Sequence, residues 1–242
     1  MAETGPIRLG LIGLGGRMGQ EIAALAETDP LVIVGGGIGR GNVEALPGLA
    51  RDSDVLVDFS TPAGTTLAIG AAVEAGRPIV IGTTGLDAAQ LAALRAASAR
   101  VPVWYARNMS TGVSLLQRLL PEIARALAGY DIEVIEAHHR HKADAPSGTA
   151  LMLAEAILAG LGDGEHPFVH GREGYAPRQP GEIGFHAVRG GGNAGEHTLI
   201  FASDEEEIRI GHRAYGRRAF AAGAIRAARA IHGQPPGWYG PE

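Results

Sequence analysis

The sequence has 242 residues, 45% of them hydrophobic, with 21 basic and 26 acidic side chains, a formal net charge of −5 and no cysteine. Without cysteine there is no disulfide framework, thiolate metal site or redox thiol, and the negative balance offers no field that would hold a polyanionic backbone, so no nucleic-acid partner is expected. No apolar run reaches the roughly 18 residues of a bilayer span, and the opening stretch lacks the basic start and apolar core of a secretory signal, so a soluble, cytoplasmic protein with no membrane partner is expected. The first strand is predicted at Ile7–Ile12, followed by a glycine turn and a helix from Arg17 to about Glu27. Further apolar runs at Leu31–Val34, Val55–Phe59, Ile79–Ile81 and Val101–Tyr105 alternate with helical patterns around Gly64–Ala75 and Asp87–Ala99. Strands spaced by helices predict a parallel, doubly wound sheet, because a parallel strand must be reached by a crossover.

After Asn108 the rhythm changes. A helix is predicted over Ser114–Ala128, a strand over Ile132–Ala137 and a second helix over Ser147–Leu161. Residues 162–180, rich in Gly, Pro and His, read as loop. Strands at Ile183–Arg189, His197–Ala202 and Glu207–His212 have only turns between them, which predicts an antiparallel or mixed sheet. The helix Arg217–Ile231 is expected to return to the first domain, and the Pro/Gly-rich tail Gln234–Glu242 reads as a frayed end.

Directly after the first strand comes Gly13-Leu14-Gly15-Gly16-Arg17-Met18-Gly19, with Met18 where the commoner dinucleotide fingerprint has its last glycine. Glycine permits the tight turn, lets backbone approach a pyrophosphate and presents N–H groups at a helix start, where the dipole favours anions. The expected class is therefore α/β: an N-terminal Rossmann-like doubly wound parallel sheet, plus a smaller α+β domain with a mixed sheet. The domains are expected at 1–108, with 215–242 returning to it, and at 109–214. About 20 residues on, where an acidic side chain would hold the ribose of NAD, the sequence has none. Arg40 stands there instead, either a donor fork for a 2′-phosphate, which points to NADPH, or one more surface arginine. Gly82-Thr83-Thr84-Gly85 and Arg107-Asn108-Met109-Ser110 follow strands of the same sheet, and could line a nicotinamide or form plain Gly and Asx turns.

The run Glu136-Ala137-His138-His139-Arg140-His141-Lys142-Ala143-Asp144-Ala145-Pro146-Ser147-Gly148-Thr149 gathers three histidines and the only lysine of the chain. In a sequence that otherwise uses arginine, one lysine in such company either answers a need for a compact ammonium or is the chance survivor of a codon bias toward arginine. Cationic and proton-donating groups with Ser147 and the N–H groups of a helix start make a site for a carboxylate or dicarboxylate. Two other readings stand beside it: a metal site on His138, His139 and His141 with Glu136 or Asp144, which Arg140 and Lys142 would oppose by repulsion, and a solvated loop in which Ser147 only caps the helix.

The run Glu136–Ala150 resembles the catalytic motif of the dihydrodipicolinate reductases, the 4-hydroxy-tetrahydrodipicolinate reductase family, almost letter for letter. The segments Gly15–Gly19, Asp58–Pro62, Ile81–Gly85, Arg107–Val113, Gly181–Gly191 and Gly195–Phe201 match the family in the same order. The resemblance implies reduction of a cyclic dicarboxylate by NADPH or NADH to tetrahydrodipicolinate in diaminopimelate and lysine biosynthesis. It gives His138 the role of proton donor and acceptor and Lys142 that of second donor and carboxylate ligand. His139, Ser147, Gly148 and Thr149 become substrate ligands. Gly13, Leu14, Gly15, Gly16, Arg17, Met18, Arg40, Gly82, Thr83, Thr84, Ala106, Arg107, Asn108 and Met109 become cofactor contacts, and no metal is implied. It further implies a homotetramer built through the second domain's sheet and closure about hinges near 108–112 and 213–217. Gly39 stands where members often have an acidic residue, which supports NADPH as the expected preference. Another small-dicarboxylate reductase, or a dinucleotide-sensing protein without need of His138 and Lys142, would share part of these features.

Overall fold

Apolar runs in the first half of the chain form parallel strands because a helix after each one carries the chain back across the sheet. The structure, a computed structural model, describes residues 5–241. Its elements are β1 (Ile7–Ile12), α1 (Arg17–Ala26), β2 (Val32–Ile38), α2 (Leu46–Asp52), β3 (Val55–Asp58), α3 (Pro62–Ala75), β4 (Ile79–Ile81), α4 (Ala88–Ser98) and β5 (Pro102–Tyr105), then α5 (Thr111–Ala126), β6 (Asp131–His138), α6 (Gly148–Leu161), β7 (Phe168–His170), β8 (Ile183–Arg189), β9 (Glu196–Ala202), β10 (Glu207–Arg213), α7 (Arg218–Ile231) and β11 (Gly237–Trp238). Two units divide it: the chain up to Ser110 together with everything from Arg217, and Thr111–Gly216.

The first unit holds a six-stranded parallel sheet in the order β11-β5-β4-β3-β1-β2. Strands β3 and β4 are buried at every position, as expected for a parallel sheet covered on both faces. Alternation along them divides the core. Leu9, Leu11, Val57 and Val80 pack with Ile22 of α1 and Ala224 and Ala228 of α7, whereas Leu56, Ile79 and Ile81 pack with Ala68 of α3 and Leu94 of α4. At Gly223 of α7 a Cβ would lie 1.7 Å from the Met109 carbonyl oxygen, so glycine is what lets this helix approach the end of β5. Because β1 lies between β2 and β3, the strand order reverses there, and the crevice beyond the carboxyl ends of β1 and β3 is where open α/β sheets bind ligands.

The second unit is a five-stranded mixed sheet, β10-β9-β6-β8-β7. Strand β6 pairs parallel with β8 and antiparallel with β9, as the turn-linked strands predict. Leu120 of α5 and Leu153 and Ile157 of α6 cover one face, over Val134, Phe185, Leu199 and Phe201.

Four stretches differ from the sequence-based expectation. Strand β2 continues through Gly35, Gly36 and Gly37 rather than stopping at Val34, and a 3-10 turn with α2 occupies residues 43–52, for which nothing was expected. Strand β7 lies within the supposed loop 162–180. The tail is not frayed: Gly237 and Trp238 pair with Pro102 and Val103, and Trp238 meets Tyr105 edge-on at 6.1 Å between ring centroids and Arg95 at 3.6 Å. Among the described residues no helix is long and apolar enough to cross a membrane.

Candidate active site

In the first unit, the turn from β1 into α1 is fixed by its neighbours. The N–H groups of Gly13 and Leu14 both donate to the Ile38 carbonyl, at 2.9 and 3.0 Å. Gly13 has φ +90°, and a Cβ there would stand 2.4 Å from the Phe59 carbonyl oxygen; one on Gly19 would stand 2.4 Å from that of Gly13. The close approach of three segments therefore excludes side chains at both positions. Gly16 precedes α1 and contributes no side-chain cap, so the helix start offers N–H groups of the kind that can receive an anion.

This turn forms one wall of a cleft of about 510 Å³, whose other walls include Gly39, Arg40, Ser60 and Thr61 and the apolar side chains of Val43, Leu46 and Leu67. A cradle of glycine backbone, a helix start and an apolar slot fits a dinucleotide. Arg40 is exposed at the cleft, two residues beyond β2, within a turn closed by the Gly39 N–H donating to Asn42 Oδ1 at 2.7 Å. Of the expected cofactor residues, Gly13, Gly15, Gly16 and Arg40 line this cleft; Leu14 belongs to the same turn, and Arg17 and Met18 open α1. Gly82, Thr83 and Thr84 follow β4, and Ala106, Arg107, Asn108 and Met109 follow β5, all at the same sheet edge but outside the cleft wall. Ala106 and Met109 are packed into the core, and Asn108 Oδ1 accepts the Ser110 N–H at 2.8 Å, so this segment is also an Asx turn.

Sequence reasoning did not single out Asp58 as a working residue. Its fully buried carboxylate accepts hydrogen bonds from the hydroxyls of Ser60 at 2.5 Å, Thr65 at 2.5 Å and Thr83 at 3.0 Å. The Ser60 N–H donates to Thr83 Oγ1 at 3.0 Å. Burial pushes the Asp58 carboxyl upward, against the pull of those hydroxyl donors. This one carboxylate ties the segments after β3 and β4 to the start of α3, and the signal for it was the Asp58–Pro62 run.

In the second unit, β6 alternates so that Glu136 and His138 face the same buried side. Glu136 Oε2 lies 2.6 Å from His138 Nδ1 and 2.8 Å from an Arg189 guanidinium nitrogen; Oε1 accepts from Arg189 at 2.6 Å and from the Ser147 N–H at 3.0 Å. Burial would raise the Glu136 carboxyl, but the Arg189 and His138 hydrogen bonds outweigh it and hold it below the usual range. Burial pushes the His138 imidazole down, with Lys142 and Arg189 adding to the effect and Glu136 opposing it. Its Nε2 faces Gly195, where a Cβ would stand 3.0 Å away.

Lys142 and Asp144 form an ion pair, with Nζ 2.8 Å from each carboxylate oxygen, which holds the Asp144 carboxyl down. The Ala145–Pro146 peptide is cis, and Ser147 then caps α6 by accepting the Ala150 N–H at 3.1 Å. The capping role weighed for Ser147 is thus real. Its hydroxyl also meets His197 Nε2 at 3.0 Å, and burial, then the His138 and His212 charges, pushes His197 down to about 4. Gly148 and Thr149 form the first turn of α6, whose N–H groups a helix cannot satisfy internally. The His139 N–H donates to the Asn193 carbonyl at 2.8 Å, placing it beside the loop that leads to Gly195. Among the described residues no group of three or more His, Cys, Asp or Glu is placed to hold a metal ion. The side chains of Arg189 and His197 were not among the expected site residues.

A doubly wound sheet with a glycine cradle at its switch point, in a chain that also carries a buried histidine and a carboxylate-paired ammonium in a second unit, is an arrangement suited to an NAD(P)H-dependent oxidoreductase. Comparison with known proteins makes the class particular. Residues 7–109 match the family described as dihydrodipicolinate reductase, N-terminus, and residues 112–242 match dihydrodipicolinate reductase, C-terminus. The 4-hydroxy-tetrahydrodipicolinate reductase of Halorhodospira halophila is 43% identical over 96% of each chain, and that of Thermomicrobium roseum is 46% identical over 96% of this chain and 97% of its own. A solved structure, dipicolinate-bound dihydrodipicolinate reductase from Paenisporosarcina sp. TG-14, shares the fold with a TM-score of 0.77 at 22% identity, covering 97% of both chains. The chain belongs to the dihydrodipicolinate reductase family, as the run Glu136–Ala150 led one to expect.

Proposed function

We propose that the chain catalyses the reaction of its curated relatives, reducing the cyclic dicarboxylate formed from 4-hydroxy-tetrahydrodipicolinate to tetrahydrodipicolinate, in diaminopimelate and lysine biosynthesis. The observation that carries this reading is the second unit's combination of His138 backed by Glu136, the Lys142 ammonium and the start of α6 within one local run. The cleft of the first unit would hold NADPH, which would supply the hydride for C4 of the substrate ring. The turn Gly13–Met18 holds the pyrophosphate, the segments Gly82–Thr84 and Ala106–Met109 serve the nicotinamide end, and Arg40 pairs with the 2′-phosphate.

The reduced ring carries an enamine whose neighbouring carbon must take a proton. His138 sits where it can give one, with Nδ1 engaged by Glu136 and Nε2 as the remaining nitrogen. The dianionic substrate brings negative charge to a histidine that burial pushes down, which favours its protonated form. Lys142, with His139, meets one carboxylate and stabilises charge developing on the ring; Ser147, Gly148 and Thr149 receive the other at the start of α6. The same reading carries a cytoplasmic location and a homotetramer through the five-stranded sheet, whose outward side leaves Val188 52% exposed.

A coupled assay tests the reaction: the precursor is generated from pyruvate and aspartate semialdehyde, and NADPH loss is followed by absorbance. The parent enzyme is expected to turn over, and Lys142→Ala to lose about 10²-fold or more in kcat/KM. An inactive parent would overturn the reading, and an unimpaired variant would remove Lys142 from it. Arg40→Ala should raise the KM for NADPH by about 10- to 100-fold, the worth of a charge-assisted phosphate contact, and barely change that for NADH. An NADH preference untouched by the substitution would reject the NADPH assignment.

A further inference from the structure

We propose that Glu136, clamped by Arg189, is a positioning residue that fixes the tautomer and orientation of His138, so that His138 exchanges its proton through Nε2 alone. The inference rests on the role given to His138 above. Its ground is a complete set of partners around one carboxylate. Glu136 is fully buried, and its oxygens accept from both terminal nitrogens of Arg189, from the Ser147 N–H and from His138 Nδ1. An ionised carboxylate only accepts, so the 2.6 Å contact places the hydrogen on Nδ1 and leaves Nε2 as the nitrogen that faces Gly195.

The clamp comes from strand pairing. Strand register sets Arg189 of β8 directly opposite His138 of β6, and the guanidinium reaches back to Glu136. The same guanidinium donates to the Asp144 carbonyl at 2.6 Å, tying the Lys142 loop to the site. As a source of stability a buried ion pair is a poor device, since apolar residues of like volume commonly do as well or better. A carboxylate set against an imidazole nitrogen has another use, because it selects which nitrogen is protonated and steadies the imidazolium.

The charged groups facing His138 are Glu136 on its own strand, Arg189 on β8, His197 on β9 at 5.2 Å between ring centroids, and Lys142 with its partner Asp144 from the loop; His212 of β10 lies beyond His197. Of these, Glu136 and Asp144 are anionic, and Glu136 alone bonds the ring. Removing its charge therefore makes His138 harder to protonate.

The test uses the full-length enzyme in the NADPH assay. Glu136→Gln is expected to lower kcat by about 10²- to 10⁴-fold, the range associated with a lost acid or a wrong tautomer, with substrate KM within a few-fold of the parent. The alkaline limb of its kcat/KM profile should move to lower pH by about one unit or more. Glu136→Asp, which keeps the charge, should restore part of both. In a His138→Gln background, adding Glu136→Gln should cost nothing further, because the carboxylate works through that ring. Should Glu136→Gln fail to fold with Arg189 left unpaired, the pair Glu136→Gln with Arg189→Met is read by its kcat and by its cost in the His138→Gln background, because losing Arg189, which pushes His138 down, offsets the pH shift. Multiplicative losses in the double variant, or an unmoved alkaline limb, would overturn the positioning role while leaving the reaction itself intact. A parent enzyme without turnover would instead bring down the reading on which it rests.

Discussion

Replacing His138 with glutamine is expected to lower kcat by about 10²- to 10⁴-fold, the contribution of a positioned acid–base group, while pyridine-2,6-dicarboxylate still binds. The asymmetry follows from the division of labour within the second unit. The groups assigned to the carboxylates, Lys142 and the α6 start, are held by Asp144 and by Ser147, which do not depend on the imidazole. Glu136 loses one partner on substitution but keeps both Arg189 contacts and the Ser147 N–H, so the loop remains anchored. Steady-state kinetics with calorimetric titration of the dicarboxylate separates the two effects. A kcat within a few-fold of the parent would take the proton role from His138.

Gly13→Ala is expected to have the largest effect on stability and on cofactor affinity together. A left-handed φ of +90° costs an alanine about 1–2 kcal/mol, and the added Cβ would stand 2.4 Å from a backbone oxygen at the end of β3. Against a typical total of about 5–15 kcal/mol this is a large fraction, and relieving the clash opens the turn proposed to hold the pyrophosphate. Gly15→Ala is the informative companion. It lines the same cleft, yet nothing lies within 4 Å of its added Cβ, so its thermal midpoint should stay while NADPH affinity falls. Thermal unfolding and fluorescence titration with NADPH read both quantities; an unchanged Gly13→Ala midpoint would refute the crowding argument.

Local signals made the sheet of the first unit and the run around His138 and Lys142 legible. Strand β1, the glycine turn and α1 lie in consecutive residues, and His138, Lys142 and Ser147 lie within one short run from the end of β6 to the start of α6, so periodicity and spacing could report them. Arg189 and His197 could not be reached that way. They come to Glu136 and His138 through pairings across β8 and β9, some fifty residues away in the chain, and nothing in composition records such register. Strand β2 was cut short for a different reason. Glycine is depleted in strands, yet Gly36 and Gly37 pair with Gly10 and Leu11, where tertiary context overrides propensity. The two-residue strand β11 has no periodicity to read at all, and the edge-on contact of Trp238 with Tyr105 and the Arg95 guanidinium over its ring help hold it.

That last strand also protects the molecule. With β11 laid along β5, the borders of the six-stranded sheet are β11, only two residues long, and β2, whose glycines give an intruding strand few side chains to grip. Cleaving the chain after Gln234 would bare the backbone of β5, whose Val103 and Tyr105 are apolar, and create a template for edge-to-edge aggregation that the intact fold withholds.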